Sequence, residues 1–282
     1  MIDYHMHLEQ GPLSLDWLEK FWIQGQSCGL TEIGITEHAH QFKEFLPVYE
    51  HLLEDPRQDP EVRKWLGRHF KYSMAEYLEL LEAGRKTGIP LKFGLEADYF
   101  PITEERIGNL LGQYDFDFVL GSVHFIDYWS FDFDLQVGWP QRDIDEVYTR
   151  YLSLMQQLVH SRLFDVLAHL DVIKVFGHRA QQSLGTEWRS LLHSIAQADV
   201  AIEVSTAGFR KPVGEIYPAE PLLREAARLD IPITIASDAH TPGDVGHRWP
   251  EAIAYARTAG YEHYCSFKGR KRIRHELPYL SF

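Results

Sequence analysis

Seven apolar runs in this chain end in, or just beyond, a histidine, glutamate or aspartate, or are followed by a polar loop, and this recurrence constrains the chain more than any other feature. The runs are IDYHMH (2–7), EIGITEH (32–38), PLKFGLEADYF (90–100), DFVLGSVHF (117–125), FDVLAHLD (164–171), AIEVST (201–206) and PITIASDAH (232–240). Helical patterns separate them. Ser14 is placed to cap a helix with Leu15, Leu18, Phe21 and Trp22 on one face, and Ser73 with Glu76 forms a capping-box signature ahead of Tyr77, Leu78 and Leu81. Asp143 and Thr186 start two more, carrying Val147, Tyr151, Leu154 and Leu158, and Leu191, Leu192 and Ile195. Strand and helix in alternation imply parallel strands joined by crossover helices. In such a sheet the strand C-termini converge on one crevice, whether the sheet closes into a barrel or stays open, and the pattern alone leaves both.

The convergence gathers His5, His7, His38, Glu96, His124, His169, Asp238 and His240. In IDYHMH the alternation of a strand puts His5 and His7 on one face, with Ile2, Tyr4 and Met6 on the other. One histidine at a strand end is usually a buried group with a hydrogen-bond partner. Burying this many imidazoles and carboxylates unpaired costs several kcal/mol each, and cations remove that cost, so the set predicts a multinuclear metal site. Most of the remaining histidines, of 15 in all, belong to surface or core. The donors are nitrogen and oxygen with no thiolate, which suits zinc, iron or manganese.

Two stretches break the rhythm. Residues 41–72 hold Pro47, Pro56 and Pro60 among many charges, and residues 126–142 hold Tyr128, Trp129, Phe131, Phe133 and Trp139. Both follow strands, where long loops serve as lids or binding walls or are plain surface insertions. The 282 residues, 45% hydrophobic, suffice for one barrel domain spanning 1–282 with these two insertions. A net charge of −13 argues against a general nucleic-acid surface. It does not argue against a small phosphorylated substrate, because bound cations reverse the local sign. Cys28 and Cys265 form no CxxC pair, and neither a signal peptide nor an apolar run of membrane length is evident. The expectation is a cytoplasmic protein with no membrane partner; the oligomeric state is left open.

The motifs YHMHLEQGP, GITEHAH, FGLEADYF, GSVHFI, AHLDVIKVFGHR, EVSTAGFRKPVGEIYP and SDAHTPGDVGHRW resemble, over essentially the whole chain, the polymerase-and-histidinol-phosphatase (PHP) superfamily, in particular its histidinol-phosphate phosphatases. The resemblance implies a distorted seven-stranded α/β barrel, TIM-like, with two or three divalent metal ions. It implies that His5, His7, Glu96 and Asp238 hold the first ion and that Glu96 bridges to a second with His124 and His169. His38 and His240 would hold a third. Many relatives add a histidine from the loop after HxH; the loop here, LEQGPLS, has none. Glu9 is the nearest substitute and Asp16 a more remote one; His40 could also take part, but a supporting or surface place is expected of it.

The implied chemistry is hydrolysis of L-histidinol phosphate by a metal-bridged hydroxide, in histidine biosynthesis, with Asp238 and His240 at the reacting centre and His240 the candidate acid. Arg210, Lys211, Arg179 and His247 are candidate phosphate binders. Aromatic residues of 126–142, or acids such as Asp98, would receive the imidazole and ammonium of the substrate. Rival readings are a phosphoesterase for another small ester, an amidohydrolase with eight strands and a carboxylated lysine, and a metal-binding module without catalysis.

Overall fold

The apolar runs pair side by side in chain order, every pair parallel. The structure, a computed structural model, describes residues 1–279. Strands β1 (Ile2–Asp3), β2 (Glu32–Ile35), β3 (Leu91–Asp98) and β4 (Phe118–Ser122) are followed by a small antiparallel hairpin, β5 (Phe125–Ile126) with β6 (Trp129–Ser130). Then come β7 (Val166–Leu167), β8 (Ala201–Ser205) and β9 (Ile233–Ala236), and the seven-stranded sheet has the order β1-β2-β3-β4-β7-β8-β9. A second hairpin, β10 (His263–Lys268) with β11 (Lys271–Glu276), turns through Gly269 and Arg270, both at positive φ as a two-residue hairpin turn requires.

The sheet comes round to meet itself. Beyond β1 and β9, Met6 pairs in parallel with Ala239; His7 N donates to Ala239 O at 2.8 Å and Ala239 N donates to His5 O at 3.1 Å. Asp3 Oδ1 accepts from Ser237 N at 3.0 Å on the same seam. This near-closed ring of seven parallel strands is the barrel that the family resemblance implies, and it decides between the closed and open sheets that the alternation left possible. Close packing inside it depends on small residues. The Phe118 ring rests on Gly34 and Gly94, where a Cβ would stand 2.9 and 2.8 Å from it.

Helices cover the ring because their apolar faces have nowhere else to go. Ser14 caps α1 (Leu15–Ser27), accepting from Trp17 N, and Leu18 and Phe21 are buried. Two short helices follow, α2 (Leu46–Glu54) and α3 (Pro60–Leu66), before the capping box of Ser73 and Glu76 opens α4 (Met74–Lys86). After α5 (Glu104–Leu111), Asp143 caps α6 (Ile144–Ser161), accepting from Asp145 N and Glu146 N. The helices α7 (Gly185–Ala198), α8 (Glu220–Arg228) and α9 (Trp249–Ala259) continue the outer layer, each packed on the one before. Thr186 lies inside α7 and does not cap it.

Several elements differ from expectation. β7 is far shorter than 164–171, because His169 turns the chain at positive φ and a 3₁₀ turn, Val172–Lys174, follows. Tyr4 and Met6 are buried, and so are His5 and His7, so both faces of IDYHMH lie inside the molecule. Residues 41–72 carry core: Phe42, Phe45, Val48, Tyr49, Leu52, Val62 and Leu66 are buried. Pro47 and Pro60 sit in the first turns of α2 and α3, where a missing N–H costs nothing. No helix among the described residues is long and apolar enough to cross a membrane.

Candidate metal centre

Glu96, on β3, is the centre of the strand-end cluster. Its N donates to Glu37 O at 3.1 Å, which extends β2 alongside β3 and sets His38 beside the Glu96 carboxylate. Five imidazoles face that carboxylate. His5 Nε2, His7 Nε2 and His38 Nδ1 lie 3.4, 3.6 and 2.8 Å from Oε2, and His169 Nε2 and His124 Nε2 lie 3.3 and 3.7 Å from Oε1. Asp238 Oδ1 stands 3.5 Å from His5 Nε2 and 3.3 Å from both His7 Nε2 and His240 Nε2. Asp238 and His169 both hold positive φ, which non-glycine residues rarely adopt outside such sites.

These contacts are not hydrogen bonds. His5 Nε2, both ring nitrogens of His7, His169 Nδ1 and both Glu96 oxygens are buried without a hydrogen-bond partner. The 2.8 Å approach of His38 to Glu96 also lacks hydrogen-bond geometry. Separations of 3.3–3.7 Å match the edge, about 3.4 Å, of a tetrahedron with bonds of about 2.1 Å. Left as they are, these groups would each cost about 1–3 kcal/mol, and nitrogen and oxygen donors so spaced fit divalent cations. Ligand-type atoms within 4.8 Å of one another group as His5, His7 and Asp238; as His5, Glu96 and His169; and as His7, His38 and His240.

The far sides of the rings are held by acids. His5 Nδ1 pairs with Glu203 Oε1 at 2.8 Å, and Glu203 Oε2 accepts from His169 N at 3.1 Å. His124 Nδ1 pairs with Asp98 Oδ1 at 2.8 Å, and Tyr49 Oη donates to Asp98 Oδ2 at 2.9 Å. His240 Nδ1 pairs with Glu9 Oε1 at 2.8 Å. Behind His5 and His124, carboxylates fix ring orientation and aim Nε2 at the centre. Asp98 is thus engaged on both oxygens and is not free to receive a ligand ammonium. Glu37 Oε1 and Oε2 accept from His38 N and Leu8 N, tying together the segments that carry His7 and His38.

Charge follows the same arrangement. Burial opposes ionisation of Glu96, but His5, His38 and His124 outweigh it and hold its carboxyl well below the usual range. Burial likewise opposes charge on His124 and His240, yet neighbouring carboxylates, chiefly Asp98 for the first and Asp238 with Glu9 for the second, raise each to about 10. His7 is lowered by burial and by His38. His40 is held well below its ordinary value by burial, then by His38 and His69.

The cluster forms the floor of a cleft of about 470 Å³, walled by Trp65, Phe125, Phe133, Tyr217 and Asp132. Glu9, His40 and Lys211 reach it as well. A second cavity of about 480 Å³ beside the β10–β11 hairpin has no such group of donors among the described residues. Arg210, Arg179 and His247 do not line the cleft. Arg210 Nη2 donates to Ser237 O at 2.8 Å and Asp238 O at 2.7 Å, so it braces the backbone that carries Asp238. Arg179 pairs at the surface with Glu215 at 2.9 Å, and His247 lies outside, in the loop before α9. Asp16 is exposed in the first turn of α1. Sequence reasoning passed over Glu203; an acid in the middle of the wholly buried AIEVS strand was the available signal.

The PHP domain family model matches residues 3–207. A probable histidinol-phosphatase of Deinococcus radiodurans is 40% identical over 182 residues, 63% of this chain and 67% of that one. The histidinol-phosphatase of Bacillus subtilis is 26% identical over 88% of this chain and 96% of its own. The crystal structure of histidinol phosphate phosphatase from Lactococcus lactis, complexed with zinc, L-histidinol and phosphate, superposes with a TM-score of 0.72 at 23% identity. The match covers 96% of this chain and 98% of that one.

Proposed function

The chain belongs to the PHP domain family, and on that premise we propose that it is a metal-dependent phosphomonoesterase hydrolysing L-histidinol phosphate to L-histidinol and phosphate, a step of histidine biosynthesis. The observation that carries this reading is the set of buried, unpartnered imidazole and carboxylate atoms on the cleft floor. The names and bound molecules of the relatives supply the substrate.

His5, His7, Glu96 and Asp238 would hold one ion, and Glu96, His124 and His169 a second. Glu9, His38 and His240 would hold a third. Bound divalent ions supply a nucleophile near neutral pH by lowering the pKa of water, and they offset phosphate charge. Glu203 and Asp98 keep the ring nitrogens of His5 and His124 aimed. Lys211 brings a compact positive charge to the cleft wall, suited to a phosphate oxygen. Asp238 is held ionised, against its burial, by the neighbouring His5 and His240 and has no proton to give, so His240, 3.3 Å from it, is the group placed to protonate the departing alkoxide wherever it is not bound to an ion. On the wall, Trp65 and Phe133 offer apolar faces to an imidazole, and Asp132 offers a carboxylate to an ammonium.

The amidohydrolase reading loses support on two counts. The ring has seven strands. The buried Lys174 is held by Asp171 at 2.9 Å and donates to Ile216 O, so it does not bridge the cluster. Phosphate release from a panel of phosphomonoesters, with metal content measured on the same samples, tests the proposal. L-histidinol phosphate is expected to be the fastest substrate. Cleavage of cyclic amides with no release from phosphate esters would overturn it.

A further inference from the structure

We propose that His40 is a ligand of the third metal position, completing with Glu9, His38 and His240 a set of three nitrogens and one carboxylate. The inference rests on the metal reading above and names who fills the place left open by the loop LEQGPLS, which has no histidine.

His40 sits on the turn Ala39–Gln41, two residues beyond His38, and is 4% exposed. Neither of its ring nitrogens has a hydrogen-bond partner. Its ring stacks on His38 with centroids 4.7 Å apart and is boxed in by Trp65 and His69 at 5.1 and 4.7 Å. A histidine buried only for packing would be expected to find at least one partner; this one instead reaches the floor of the cleft. Glu9, His38 and His40 each offer a ligand atom within 4.8 Å of the other two. Ligands of one ion stand about 3.4 Å apart in a tetrahedron with ~2.1 Å bonds, so an ion would draw the set inward by up to about 1.4 Å.

The turn is anchored from both sides, which fixes where the ring goes. Gln41 N donates to His38 O at 2.9 Å, and Phe70 N donates to His40 O at 2.8 Å. Gln41 Nε2 donates to Glu9 Oε2 at 3.0 Å, so the same turn that presents His40 also positions the carboxylate opposite it. Glu9 Oε1 reaches His240 at 2.8 Å, joining the fourth member.

The test is metal stoichiometry and affinity, measured by elemental analysis and by zinc titration against a competing chelator, on the full chain and on His40→Gln and His40→Asn, with folding followed by circular dichroism. The parent is expected to take three ions. The variants should keep two and lose affinity for the third by more than about a hundredfold, beyond the 10–100-fold that loss of a merely supporting partner costs. A third ion held by either folded variant with parental affinity overturns the proposal, as does a parent that saturates at two. A parent that binds no ions at all overturns the metal reading itself, a different outcome. If both variants fail to fold, ¹⁵N shifts of the histidine rings in the parent decide. The His40 signal, identified by its contact with Trp65, should move between the second and third equivalents of zinc, and a signal that stays still overturns the assignment.

Discussion

The two ends of the barrel treat polar groups in opposite ways. At the strand C-termini, carboxylates and imidazoles crowd together at 3.3–3.7 Å without satisfying one another. At the N-terminal end Asp117 and Asp165, beside the starts of β4 and β7, are both used. Asp117 Oδ2 accepts from Phe93 N at 3.0 Å and Arg85 Nη2 at 2.6 Å, and its Oδ1 accepts from Gly269 N at 3.2 Å. Asp165 Oδ2 accepts from Val119 N and Arg270 Nε, both at 2.8 Å. Gly269 and Arg270 belong to the turn of the C-terminal hairpin, so this end is closed by hydrogen bonds that need nothing added. One end is complete as built and holds the fold; the other is incomplete by itself and is shaped for a ligand.

If that contrast is right, damage at the two ends has different consequences. Glu96→Gln keeps the shape but removes the shared charge at the open end. It is expected to cost at least one bound ion and about 10³-fold in phosphate release, on the order of 4 kcal/mol of transition-state stabilisation, while the helical signal persists. Elemental analysis and turnover on the same sample check this; parental values for both would remove Glu96 from the centre.

Metal removal asks how far the open end depends on its ligand. Each ion held at about a hundred times its dissociation constant adds roughly 2.7 kcal/mol, so stripping with chelator should lower the melting temperature by on the order of 5–10 °C per ion. The sign of the pH dependence follows from the metal-free histidines. His124 and His240, raised to about 10, are protonated at neutral pH and must release their protons to bind metal. Metal affinity should therefore climb as pH rises toward that value, roughly tenfold per unit for each proton released. An affinity flat between pH 6 and 9, in about that window, would show that these rings do not give up protons on metal binding.

Asp165→Ala is the converse, and the smallest effect. It leaves Val119 N without its acceptor and frees a partly exposed Arg270, so a loss of about 1–2 kcal/mol is expected by denaturant titration. Metal content and turnover should stay at parental values; a loss of bound metal would mean that the two ends are coupled.

The same contrast explains what was readable in the sequence. Ligands at strand ends announce themselves because polar residues interrupt apolar runs, as in SDAH and EADY, and topology then carries them together. Supporting acids are less visible. Glu203 differs from any other buried acid only through contacts made across the barrel to His5 and His169. Arg210 looked like a phosphate clamp because it is a cation in a strand-end loop; its carbonyl partners, Ser237 and Asp238, come from the next strand. The β10–β11 hairpin went unseen because exposed KRIRHE lacks apolar alternation and its register rests on the barrel base. The prolines of 41–72 suggested a lid, a binding wall or a surface insertion, yet two of them start helices whose apolar faces are core.

The seam where Met6 meets Ala239 also sets an order of events. His5 and His7 stand on one side of it, Asp238 and His240 on the other, at the two ends of the barrel sequence. A ribosome making about 5–20 residues per second delivers the second pair roughly 10–50 s after the first. During that interval a growing chain has only part of a metal site. The full set of donors can come together only once the last barrel strand has been made, so a complete, tightly held metal centre certifies that synthesis has reached that point.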